Sequence, residues 1–257
     1  MIYDTRPCTL GEGLFWHPLR QALFWFDISE GRLLSNDGAS QQMWQFPQSV
    51  SAAGVISQDE LLICGEHGLF RFNLETAVST PVTDLEPDKP DNRSNDGKVD
   101  RQGGFWVSTM GKDSSDLHAK GAIYRWFKGE LRLLYPNISI PNAICFTPDG
   151  KRIIAGGGVS GAIGQVRVWD VPSSTETLVF GDHIDIVNQA AISPDANTVV
   201  TASSDKSLKV WELASGKLLQ TLREEISRPD APPSGGTRTT AGWSRCRAHG
   251  SGRTAPG

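Results

Sequence analysis

Five side chains in this sequence have types and spacing that could do chemistry: Glu12, Arg93, Asn95, Asn142 and Asn188. Glu12 supplies a carboxylate, while Asn142 and Asn188 supply amide oxygens. These are hard oxygen donors, suited to Ca²⁺, Mg²⁺ or Mn²⁺. A divalent ion among them would act as a Lewis acid on a carbonyl and lower the pKa of a bound water. Arg93 and Asn95 stand two apart on a segment leading into a strand, so both can face one opening. The guanidinium offers a fork of donors for a carboxylate or polyol oxygen. Asn95 can both donate and accept. Arg93 would serve equally as a surface salt-bridge partner of Asp91 or Asp96, and the residues alone leave that open.

These residues are scattered along the chain, so a repeat must gather them. One short unit recurs: a small or polar residue, alternating apolar positions, then a turn. It reads EGLFWHP from Glu12, AAGVISQD from Ala52, NDGKVDRQG from Asn95, NAICFTPDG from Asn142 and NQAAISPDA from Asn188. The starting positions are 40, 43, 47 and 46 residues apart. Each unit is followed by a second strand, such as QALFWFDI or KRIIAGG, and most by a third with a bulky apolar tip, such as QVRVWDV or SLKVWEL. Short strands with Pro, Asp and Gly at the turns, repeating about every 45 residues, predict an all-β chain of four-stranded propeller blades. No window carries an apolar set at helical spacing. The first strand of a propeller blade lines the central channel. Glu12, Ala52, Asn95, Asn142 and Asn188 are therefore expected to converge there.

Residues 10 to about 155 resemble the SMP-30/gluconolactonase/regucalcin-like family of six-bladed propellers. The resemblance rests on LGEGLFWHP, LFWFDI with GRLL, NRSNDGKVDRQGGFWVSTMG, GAIYRW and ISIPNAICFTPDG. It implies metal-dependent hydrolysis of a sugar lactone, with one divalent ion (Ca, Zn, Mn or Mg) bound by Glu12, Asn142 and the position of Asn188. It also implies that Arg93, Asn95 and Asp113 contact the sugar. The family carries an Asp at the third ligand position, which doubles as general base. Asn188 stands there, and an amide cannot take a proton at neutral pH. Impaired turnover is the expectation, with Asp182 and Asp185 nearby as substitutes that no geometric argument favours.

Residues 156–222 resemble WD40 repeats instead, most clearly GDHIDIVNQAAISPDANTVVTASSDKSLKVWELASGKLLQTL, with a hydrogen-bonded set expected among His183, Ser203, Asp205 and Trp211. The preceding unit, GQVRVWDV, keeps the Trp-Asp ending without the Asp turn. The organisation read from sequence is SMP-30-type blades over 1–155, WD40-like blades over 156–222 and a disordered tail over 223–257. About five blades can be counted where the resemblance implies six. The tail is rich in Gly, Pro, Ser, Thr and Arg, with Trp243 as its one large apolar side chain. It cannot bury enough apolar surface to offset its ordering entropy.

Composition excludes some function classes. The net charge of -4 gives no general attraction to nucleic acid or an anionic membrane. Cys8, Cys64, Cys145 and Cys246 show no paired spacing, which fits free thiols in a reducing cytoplasm. The first residues do not read as a signal peptide, and no apolar run is long enough to span a membrane. Two rivals to the lactonase reading stand beside it: a non-catalytic WD40-like scaffold that binds a protein partner, and a truncated or hybrid reading frame without evolved function.

Overall fold

The computed structural model describes residues 3–113, 117, 119–159, 161–173 and 175–223. Every regular element among them is a β-strand, and the strands form a five-bladed propeller of four-stranded antiparallel sheets. Blade 1 comprises β1 (Gly11–His17), β2 (Ala22–Asp27), β3 (Arg32–Asn36) and β4 (Gln41–Gln45). Blade 2 comprises β5 (Val50–Val55), β6 (Glu60–Gly65), β7 (Gly68–Asn73) and β8 (Ser79–Asp84). Blade 3 comprises β9 (Asn92–Val99), β10 (Phe105–Gly111), β11 (Gly121–Phe127) and β12 (Glu130–Ile138). Blade 4 comprises β13 (Asn142–Phe146), β14 (Arg152–Val159), β15 (Ile163–Asp170) and β16 (Thr175–His183). Blade 5 comprises β17 (Val187–Ile192), β18 (Thr198–Ser203), β19 (Ser207–Glu212) and β20 (Leu218–Arg223). Arg223 still pairs with Ser207 at the end of β20. The tail from 224 on, including Trp243, lies outside the described residues.

Four apolar clusters hold the blades together, each between consecutive blades. Phe24, Phe26 and Leu33 of blade 1 meet Leu61, Ile63 and Phe72 of blade 2. Leu62 and Leu69 of blade 2 meet Phe105 and Val107 of blade 3. Trp106 and Ile123 of blade 3 meet Ile153 and Trp169 of blade 4. Ile154, Val166 and Phe180 of blade 4 meet Val199 and Trp211 of blade 5. Neighbouring residues of one strand thus serve opposite clusters, as a period of two requires. The inner blades are covered on both faces, so β6, β10 and much of β14 are buried at successive positions. Strands β2 and β18 alternate between buried and partly exposed positions, the pattern of a sheet with one wet face. On that outer face of blade 5, Val200, Leu208 and Leu222 are exposed, as are Leu14 and Trp16 on β1.

The inner strands pack in sequence, β1 on β5, β5 on β9, β9 on β13 and β13 on β17. All five carry a bulge. Three residue steps from Glu12 to Phe15 oppose two from Phe26 to Phe24, and Asn142 to Cys145 opposes Gly156 to Ile154 in the same way. Ser94 to Gly97 opposes Thr109 to Val107, while β5 and β17 each carry one extra residue against their neighbours. A bulge breaks the strict alternation of a strand and re-aims its side chains. Gly13 sits in the β1 bulge at φ 62. A Cβ there would lie 2.3 Å from the Ser51 carbonyl oxygen, so glycine is required.

Candidate active site

The inner strands surround a cavity of about 790 Å³. Glu12 of β1, Asn142 of β13 and Asn188 of β17 all line it, from three different blades. Blade 3 contributes Asp96, and blade 2 contributes Ala53. Two of the residues expected at the channel are therefore displaced by one. Ala52 is buried in the cluster between blades 2 and 3. Asn95 is buried against the blade 4 backbone, donating from Nδ2 to the Pro141 carbonyl at 3.1 Å. The physical reason is the bulge, whose added residue shifts which neighbour faces the channel. Asp96 was the residue missed as a site component; its signal was its place beside Asn95 in the NDG block.

Each expected site residue has a distinct environment, and Arg93 and Asp113 are not among the residues that line the cavity. Asn142 is buried, and its Oδ1 accepts the Ala143 N–H at 3.1 Å. Asn188 is exposed and donates from Nδ2 to Ser204 Oγ at 2.8 Å, which fixes its amide plane. Arg93 turns back on its own segment, donating from Nη1 to the Ser94 carbonyl at 2.8 Å and to Asn95 Oδ1 at 3.2 Å. This local bonding is neither of the salt bridges, to Asp91 or to Asp96, that the residues alone left open. Asp113 lies on the exposed segment just after β10. Lys112, beside it, pairs with Glu66 at 2.5 Å.

Burial dominates the electrostatics of the cavity. It pushes the Glu12 carboxyl above its ordinary pKa; the negative charge of Asp96 adds to the shift and Arg93 opposes it. Burial also raises Asp96, against the N–H groups of Ile144 and Gly97 that favour its ionised form. Arg93 is lowered by burial and supported by the charges of Glu12 and Glu66. Two desolvated carboxylates thus influence one another across a wall otherwise furnished with amide oxygens. The Glu12 carboxylate and the amide oxygens of Asn142 and Asn188, gathered on one cavity, are hard oxygen donors, so the donor set fits a divalent cation. Among the described residues, however, no cluster of three or more His, Cys, Asp or Glu is placed to hold a metal. Any such site leans on the amides.

A buried hydrogen-bonded chain links the end of β16 to β18, β19 and the turn between them, beside β17, which carries Asn188. His183 Nδ1 bonds Asp205 Oδ2 at 2.8 Å, His183 Nε2 bonds Thr201 Oγ1 at 2.8 Å, and the Trp211 indole N–H donates to Thr201 Oγ1 at 2.8 Å. The bridging hydroxyl is Thr201 and not the expected Ser203. Ser203, two residues on and at the end of β18, donates to the Asp185 carbonyl at 3.0 Å and accepts the Asp205 N–H at 3.1 Å.

Comparison with known proteins places this arrangement. The SMP-30/gluconolactonase/LRE-like region matches residues 10–173. The chain belongs to that family. A WD domain, G-beta repeat, matches residues 174–212. A sugar lactone lactonase named in Rhizobium meliloti (strain 1021) is 39% identical over 143 residues, which is 55% of this chain and 48% of that protein. L-arabinolactonase of Azospirillum brasilense is 32% identical over 160 residues, 60% of this chain and 52% of that protein. The chain thus spans about half the length of these lactonases. A crystal structure of a calcium-binding protein, regucalcin, from Agrobacterium tumefaciens str. C58 superposes with a TM-score of 0.72 at 27% identity, covering 86% of this chain and 77% of that one.

Proposed function

We propose that this family member hydrolyses a sugar lactone with the help of one divalent cation held at the central cavity. The observation that carries the reading is the convergence of Glu12, Asn142 and Asn188 on one cavity from three blades. The lactonase names of its relatives and the calcium-binding regucalcin neighbour support it. When bound, the cation would polarise the lactone carbonyl and stabilise the negative charge that develops on its oxygen. Glu12 would supply the anionic donor, and the two Asn side chains would supply oxygens. Arg93, half-buried with its charge felt at Glu12, would hold a sugar oxygen, and Asp113 would meet the sugar from the exposed side. Asn95, engaged with Arg93 and Pro141, would act on the sugar through Arg93.

Asn188 cannot serve as general base. Such help is typically worth about 10² to 10⁴ in rate, so turnover should be slow. The test is calorimetric titration with Ca²⁺, Mn²⁺, Zn²⁺ and Mg²⁺, joined to hydrolysis of an aldonolactone panel with the enzyme-free rate subtracted. Weak ion binding and slow hydrolysis are expected, both abolished by Glu12→Ala and both raised by Asn188→Asp. Hydrolysis indifferent to Glu12→Ala would overturn the site. A second reading, protein binding through the WD40-like blade, is favoured by the exposed Val200, Leu208 and Leu222 on its outer face. It predicts a partner lost on Leu208→Asp with the cavity chemistry unaffected.

A further inference from the structure

The cavity wall contains a carboxylate to which the proposed reaction gives no role. We infer that Asp96 is a positioning residue: from blade 3 it grips the entry of β13 in blade 4 and so sets where the Asn142 amide points. The inference rests on Asn142 being a cation donor, as proposed above, and extends that reading to the residue that aims the donor.

The argument begins with the backbone at 141–144. The pairing of β13 with β14 matches Asn142 to Gly156 and then resumes at Cys145 with Ile154, skipping Ala143 and Ile144. Ala143 adopts φ 58, in the left-handed region that a non-glycine residue takes only when its surroundings hold it there. Such a segment needs partners from elsewhere for its backbone groups, because a buried N–H or C=O without one is costly. Blade 3 supplies them. Asp96 Oδ2 accepts the Ile144 N–H at 2.8 Å. The Pro141 carbonyl accepts from Asn95 Nδ2 at 3.1 Å and from Ser108 Oγ at 2.9 Å. Asp96 is itself fixed: its N–H donates to Ser108 Oγ at 2.9 Å, and its Oδ1 accepts the Gly97 N–H at 2.8 Å. Asn142 lies between the two gripped points, with its own Oδ1 bonded to the N–H of the strained Ala143.

Outer partners of this kind commonly change cation affinity by about 10- to 100-fold when removed. The test uses the full chain with Asp96→Ala and Asp96→Asn, read by amide hydrogen exchange and by calorimetric titration with Ca²⁺. Asp96→Ala should speed exchange at Ile144 while leaving Ile154, in the adjacent strand, unchanged. It should also weaken Ca²⁺ about 10- to 100-fold. Asp96→Asn keeps an oxygen for Ile144 and should recover most of both. Asn142→Ala should remove the Ca²⁺ sensitivity to Asp96→Ala, since no donor would remain to be aimed. Unchanged exchange at Ile144 overturns the grip, whatever the metal result. Equal loss of Ca²⁺ binding in Asp96→Asn and Asp96→Ala also overturns it, because the charge itself would then be holding the ion. A wild-type chain that binds none of Ca²⁺, Mn²⁺, Zn²⁺ and Mg²⁺ sinks the proposed function and with it the aiming of a donor, while accelerated exchange would still support the grip on β13.

Discussion

Blade 3 and blade 5 aim buried polar groups at different strands of blade 4, its inner strand β13 and its outer strand β16. In blade 5, Asp205, Thr201 and Trp211 form a chain with His183, the last residue of blade 4's outer strand β16, and Asp205 also accepts the Ile184 N–H of the loop that follows. Lys209, also buried, reaches Asp182 at 2.9 Å just before the same loop. In blade 3 some ties are internal, such as Asp100 accepting the Trp106 indole N–H and the Arg125 Nε–H, each at 2.8 Å. Three side chains reach out of the blade: Asn95, Asp96 and Ser108 all bond the backbone of blade 4. The difference teaches which strand entry each contact fixes. The chain around His183 holds the outer strand of blade 4 and leaves the Asn188 side chain to a bond within its own blade, to Ser204. A strand entry gripped by another blade is only as good as the contact between them, and Asn142 sits at such an entry.

That contrast can be broken most directly at Asp205. Asp205→Ala removes the acceptor shared by His183, the Ile184 N–H and Ser207 and should cost about 3–5 kcal/mol, measured by urea unfolding. A cost near zero would mean that blade 5 is not held by its polar chain. Acid sharpens the same point. Burial raises the Asp205 carboxyl, yet the hydrogen bonds from Ser207, His183 and the Ile184 N–H outweigh it and hold the group well below the usual carboxylate range. A depressed folded pKa contributes stability that is present above the unfolded value of about 3.9 and lost as pH falls through the folded value. The stability gap between wild type and Asp205→Asn should therefore narrow steadily as unfolding is repeated below pH about 4. A gap independent of pH would assign the loss to packing.

A smaller effect separates the two hydroxyls. Thr201→Val removes the bridge between His183 and Trp211 and should cost about 1–3 kcal/mol. Ser203→Ala, at the partly exposed end of β18, should cost about 0.5–1.5 kcal/mol. The reverse order would restore Ser203 as the bridge. The smallest expected change in stability is at Asn188, an exposed side chain. Asn188→Asp should move unfolding by no more than about 0.5 kcal/mol, while raising cation affinity in the titration. A large stability change there would show that the entry of β17 is as dependent on its surroundings as that of β13.

Much of the fold was legible because a blade is a local object. Its strands pair with sequence neighbours, its turns carry Pro, Asp and Gly, and the unit recurs, so EGLFWHP and NAICFTPDG reveal the same element from residues alone. The convergence of Glu12, Asn142 and Asn188 was legible from their shared place in that unit. Asn95 was not, and neither was Asp96. Both sit in the bulged part of β9, where the choice between neighbours depends on where the extra residue falls. Thr201 was missed for a related reason: Thr201 and Ser203 lie two apart on β18 and share a face, so only the height of the His183 ring decides between them.

The sequence by itself determined the strand content and the blade repeat, because alternation and turn chemistry act over a few residues, and it carries the chemical types of the side chains at the candidate site. Which of those side chains meet was decided by tertiary structure. The cavity exists only where five inner strands approach one another, and each bulge selects the side chain that faces it. The backbone partners of Pro141 and Ile144 come from more than thirty residues away, on another blade. No local rule announces them, since a hydrogen bond between blades depends on how two complete sheets pack, and that packing is set by the apolar clusters between them.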